Sequence, residues 1–139
     1  AEKYFKQALG LAKADSDKAD MYVQLGHLKA ESGDKSSARE LYRKALSADP
    51  SNSEPYTHIG HLYFRSFDDC AGKEDKAKDR LVFISAYNMF KRSGNAKLMN
   101  AAKEQFPSKE ELFERNYNSG DAMTVGCWIN ESVVLDTRD

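Results

Sequence analysis

Charge of one sign is missing from this 139-residue chain: 21 lysines and arginines face 22 aspartates and glutamates, a formal net charge of −1. Nucleic acid and anionic membrane surfaces call for clustered basic residues, so neither is an expected partner. No apolar run approaches the ~18 residues of a membrane-spanning helix, which excludes insertion by that route, and no signal-peptide hydrophobic region is visible at the start. Also missing are a nucleophile with an oriented base, a metal triad and a phosphate loop at a recognised spacing. The expectation is a non-enzymatic protein without a cofactor. Cysteine is limited to Cys70 and Cys127, tryptophan to Trp128 and proline to three positions. What is abundant is the mixture of 40% hydrophobic and 31% charged residues that suits helices with one buried and one wet face, and the length suffices for a single core.

A spaced set of residues occurs twice. Tyr22, Leu25 and Gly26 recur as Tyr56, Ile59 and Gly60, and the first set continues through Ala38, Tyr42 and Ala45 to Pro50. This pattern, with its ~34-residue period, resembles the tetratricopeptide repeat, a helix-turn-helix unit that stacks into a solenoid. A helix pair cannot bury its apolar face alone, so each packs on the next, and the points of closest approach must be small. Gly26 and Ala38 fit those points. Tyr22, Leu25 and Leu28 form the stripe of a first helix; Ala38, Leu41, Tyr42 and Ala45 form that of a second. Gly33-Asp34 supplies a positive-φ residue and then a cap, and Pro50 closes the second helix. Lys29 departs from the pattern, since the family usually has a tyrosine there. Its stem can cover apolar surface while its ammonium stays wet.

The expected fold is mainly α, a tetratricopeptide-type solenoid of antiparallel helix pairs with a C-terminal β-hairpin cap. Residues 1–116 hold the repeats: a second-type helix of a partial repeat at 1–15, where Ala1, Phe5 and Ala8 match the small-aromatic-small spacing, a full repeat at 19–52, and divergent repeats over 53–116. The apolar first turn suggests a piece of a longer array. Pro55 begins the next first-type helix, and residues 67–76 read as an insertion. Leu81 to Phe90 resumes as a helix, Ser93-Gly94-Asn95 stops and restarts the chain, 96–105 forms a short helix before Pro107, and Ser108 with Glu111 has capping-box spacing. From Gly120 the period becomes twofold through Met123, Val125, Cys127 and Ile129, with a second strand at Val133 to Leu135. Residues 117–139 are thus the expected hairpin, which must dock on the last helices because an isolated hairpin is marginal in water. Trp128 is expected opposite Cys127, either sealing the core edge or anchoring a partner. Gly126 to Glu131 also resembles the tail of tetratricopeptide proteins from bacterial cell envelopes.

Cys70 lies in the insertion and Cys127 in the hairpin. Pairing them would tie one to the other and stabilise the fold by about 4 kcal/mol in the chain-entropy picture; the alternative is two free thiols in a reducing cytosol. The pairing is favoured because both non-repeat elements lack a large core of their own. A disulfide would imply an oxidising compartment, the periplasm or cell envelope of a bacterium, with the cytoplasm as the alternative.

In the family's architecture the first helices line a concave groove at fixed repeat positions. Counting them gives Asp20, Val23, Gln24, His27, Ala30 and Glu31, then Glu54, Thr57, His58, His61, Phe64 and Arg65. Taking Gly94 as the turn glycine of a third first-type helix adds Leu81, Ile84, Ser85, Asn88, Lys91 and Arg92. The resemblance therefore implies a scaffold that binds a peptide or a helix of a partner protein, with Gln24, His27, Glu31, His58, His61, Arg65, Asn88 and Arg92 as candidate contacts. His27 and His61 share a repeat position and are expected as neighbours, with His58 one turn away. Histidine titrates near pH ~6.5, which would make the groove pH-responsive, and His27, His58 and His61 are also the residues of an alternative metal-binding module. The family's carboxylate clamp needs lysine and asparagine where Val23 and His27 stand, so chaperone tails are not expected ligands. A further alternative is a structural part of a larger envelope assembly, a longer chain or multiprotein complex, with no free groove.

Overall fold

Small residues decide where the first helices meet. In the computed structural model, which describes residues 1–11 and 14–139, helix α1 (Glu2–Leu11) is followed by α2 (Asp15–Glu31) and α3 (Lys35–Ala48). The helix expected over residues 1–15 is thus observed as Glu2–Leu11; residues 12 and 13, which it also covered, lie outside the described residues. Ala38 and Ala45 are fully buried on α3 with Tyr42, facing Leu25 and Gly26 of α2. A Cβ at Gly26 would stand 2.5 Å from the Tyr42 ring, so the tyrosine lies flat against the backbone of α2 only because that position has no side chain. Gly33 takes φ 85°, and Asp34 accepts the Ser37 amide at 3.1 Å, which ends α2 and starts α3 as the Gly-Asp pair predicts.

The chain divides into two compact units, Ala1–Ile59 and Gly60–Asp139, and the division falls within α4 (Glu54–Phe64). In the second unit the insertion expected over 67–76 contains the single-turn helix α5 (Phe67–Cys70), and a second single turn, α6 (Lys76–Asp79), begins at its last residue. They lead into α7 (Leu81–Ser93), α8 (Ala96–Lys103) and α9 (Lys109–Glu114). Gly94 ends α7 at φ 72°, Asn95 caps α8 through the Leu98 amide, and Ser108 and Glu111 form the reciprocal capping box. Strands β1 (Ala122–Val125) and β2 (Glu131–Val134) pair antiparallel with Ala122 opposite Val134 and Val125 opposite Glu131. The architecture is the expected one, helical repeats plus a small C-terminal hairpin.

Two local expectations fail. Cys127 and Ile129 do not extend the strand: both sit in the turn between β1 and β2, where Cys127 has φ 62° and Ile129 is buried as a turn residue. The alternation persists past the strand because the turn also sends one residue inward. The second correction concerns α7, counted above as a third first-type helix. A Cβ at Gly60 would stand 2.6 Å from Cδ1 of Phe90, the same glycine-against-ring contact that Gly26 makes with Tyr42. Helix α7 therefore answers α4 as α3 answers α2, as the second helix of its pair. Leu81, Ile84 and Ser85, expected on an open surface, are all at most 3% exposed.

Several ties hold the hairpin. The disulfide Cys70–Cys127, with Cα atoms 5.7 Å apart, joins α5 to the turn. Trp128 packs against Tyr63 at 5.4 Å and donates its indole N–H to Ser66 Oγ at 3.0 Å, while the Tyr63 hydroxyl donates to Glu131. Trp128 thus seals the core edge. The C-terminal residues return to the helices: the Arg138 amide donates to Pro107 O at 3.0 Å, and its guanidinium reaches Glu111 at 3.1 Å.

Three carboxylates of this unit are held in their ionised form. Burial disfavours the Asp75 charge, but the Tyr117 hydroxyl at 2.6 Å, the Lys78 amide and the Arg115 charge hold its carboxyl below the ordinary value of 3.8. Burial likewise opposes ionisation of Glu111, which the Ser108 amide and Arg138 more than offset. Lys103 at 2.8 Å, outweighing burial, lowers Asp136. A lowered native pKa means that the unfolded chain binds protons first. The stabilisation is complete above the unfolded carboxylate values and is lost as pH falls through the native ones. The urea midpoint of residues 60–139, followed by Trp128 fluorescence, is expected to be flat above about pH 5 and to fall below it, and Glu111→Gln is expected to flatten the acid limb. A midpoint independent of pH down to about 2 would remove these contacts from the account.

Candidate functional site

Helix α2 turns ~100° per residue, so Asp20, Gln24, His27 and Glu31 fall on one narrow stripe. Asp20, Gln24 and Glu31 are exposed and His27 is half-buried. A different side of α2 carries Leu25, which is 4% exposed. An amphipathic helix thus presents a polar stripe while another side serves the repeat core.

His27 is positioned, not loose. Its Nδ1 lies 2.7 Å from the hydroxyl of Tyr42, whose ring is 2% exposed and packed on Gly26. A tyrosine buried for packing still needs a partner for its hydroxyl, and His27 provides one. The His58 ring from α4 stands edge-on to His27 at 4.7 Å and tilted over Tyr42 at 5.3 Å. Three helices of the first unit therefore contribute to one cluster of polar rings: α2 gives His27, α3 gives Tyr42 and α4 gives His58. The sequence reading placed Tyr42 in the core and missed its second role. The available signal was the hydroxyl itself, since phenylalanine would fill the same stripe without needing a partner.

The remaining candidates are placed within the second unit. His61 is half-buried with its ring 5.3 Å from Phe90, and Arg65 is exposed. Asn88 is half-buried and Arg92 exposed on α7, the helix now identified as the second of its pair, so the repeat count no longer gives either a place among first-helix positions. Thr57, also counted toward the groove, is 6% exposed and does not contribute to an open face. Among the described residues, no group of three or more histidine, cysteine, aspartate or glutamate side chains is placed to hold a metal ion. Among them too, no helix is long and apolar enough to cross a membrane.

Comparison with curated proteins gives no match. The family model for the tetratricopeptide repeat matches residues 19–52. That span contains α3 and α2 from residue 19 onward, with the Gly26–Tyr42 contact near its centre and the polar stripe on its first helix. Residues 19–52 of this chain thus form a tetratricopeptide repeat.

Proposed function

We propose that this protein is a non-enzymatic interaction scaffold that binds a peptide segment or a helix of a partner protein. The surface proposed for the first unit is the face marked by Gln24, His27 and Glu31 on α2 and His58 on α4. The supporting observation is the His27–Tyr42–His58 cluster, which fixes polar rings beside an exposed stripe at little further cost in side-chain entropy. Asp20, Glu31 and Glu54 are exposed and give this face an acidic border, which favours a partner segment carrying lysine or arginine beside an apolar anchor. His61 and Arg65 on α4, and Asn88 and Arg92 on α7, are separate contact candidates within residues 60–139. The disulfide is compatible with an oxidising compartment, and the proposed location is the bacterial periplasm or cell envelope.

Selection from a displayed library of random peptides tests the reading. Sequences enriched on the wild-type protein are expected to lose about tenfold in affinity, a change of ~1.4 kcal/mol, on Gln24→Lys with Glu31→Lys. Enriched peptides indifferent to that pair of substitutions, or no enrichment at all, would count against the proposal.

A further inference from the structure

Lys29 is where the repeat departs from its own pattern, and the structure shows what the departure leaves behind. A pocket of about 400 Å³ opens between α1, α2 and α3, with Leu25 and Leu41 among its walls. Three ammonium groups, Lys6, Lys29 and Lys44, share it with Ser36 from the first turn of α3. Two carboxylates also line it, but both already have cations. Glu2 lies 3.2 Å from Lys6 and 3.5 Å from Lys29, which together hold its pKa below the ordinary value. Glu40 is 2.9 Å from Arg43. Lys44 forms no ion pair among the described residues; its ammonium stands 6.0 Å from the centre of the Tyr22 ring. The pocket thus combines apolar walls, a hydroxyl and an excess of positive charge. An aromatic side chain at position 29, as the repeat usually carries, would supply bulk there and no charge.

This pocket is not the proposed groove. On α2, Lys29 points roughly 140–160° away from Gln24, His27 and Glu31, and Leu25 roughly 100–160° away. The two faces also differ in charge: the stripe is bordered by acidic residues, and the pocket is rimmed by lysines.

We infer that the pocket between α1, α2 and α3 is a second docking site, for an acidic peptide segment that places an apolar side chain against Leu25 and Leu41 and a carboxylate among Lys29, Lys44 and Lys6. Charge complementarity selects this occupant. A basic segment would be repelled at the rim, and a purely apolar one would leave Lys44 without counter-charge and Lys6 and Lys29 sharing the single carboxylate of Glu2.

The probe is a short acetylated and amidated peptide alternating glutamate and leucine, titrated into isotope-labelled protein. Saturable amide shifts are expected at Leu25, Lys29, Ser36 and Lys44. The affinity should fall as salt screens the lysines, and the glutamine-leucine version of the peptide should not bind. Lys29→Gln with Lys44→Gln keeps both stems and is expected to weaken binding about tenfold, while Gln24→Lys with Glu31→Lys does not weaken it. Three results would overturn the inference: no saturable shifts, shifts confined to the opposite stripe or to residues 60–139, or equal binding of the glutamine peptide. The peptide comparison uses wild-type protein alone, so it decides the matter even if a variant fails to fold.

Discussion

Reduction of the Cys70–Cys127 bridge is expected to lower the stability of residues 60–139 by about 4 kcal/mol, roughly 20 °C in Tm for a unit of this size. The bridge closes a chain of sequence separation 57, and the stabilisation comes chiefly from the unfolded ensemble that it restricts. The native state keeps other ties after reduction. Trp128 still donates to Ser66, Tyr63 still donates to Glu131, and the C-terminal residues still bond to Pro107 and Glu111. The reduced protein is therefore expected to remain folded at low temperature with an unchanged Trp128 emission, and to melt early. Thermal unfolding with and without reductant, and of Cys70→Ser with Cys127→Ser, measures this. Equal Tm values would mean that the hairpin is held by its noncovalent contacts alone.

Phe90→Ala is expected to cost about 3–5 kcal/mol, because the ring is 1% exposed and fills the space that Gly60 leaves open. The reverse change tests the same contact from the other side. Gly60→Ala puts a methyl group into the Phe90 ring, and overpacking of this kind costs about 1–3 kcal/mol even after credit for the better helix former. Combining Gly60→Ala with Phe90→Leu should recover part of the loss, a coupling that urea unfolding of the two single variants and the double variant reads directly. Additive losses would show that the two positions do not meet, and the assignment of α7 as the second helix of its pair would fall with them.

That assignment shows what the sequence made legible and what it hid. Gly26, Ala38, Tyr42 and Ala45 were readable because their spacing is set by helix contact, and the structure buries every one of them. The partner of Gly60 was not, since the insertion and the short helices α5 and α6 displaced the next aromatic far along the chain. Gly94 then suggested the wrong register, because a left-handed glycine ends a second helix as readily as a first. The hairpin was visible in the twofold alternation, but its turn was not: Cys127 and Asn130 adopt positive φ without being glycine, and Ile129 points inward as a strand residue would. In the candidate site, the stripe on α2 follows from repeat arithmetic alone. The Tyr42–His27 bond needed coordinates, because periodicity reports that a ring is buried and not where its hydroxyl points.

Chemical-shift mapping of isotope-labelled protein with a peptide selected on the wild type is the most direct test of the proposed scaffold. Saturable shifts centred on Gln24, His27 and Glu31, abolished by Gln24→Lys with Glu31→Lys, are the predicted result. Shifts that leave this stripe untouched would contradict it.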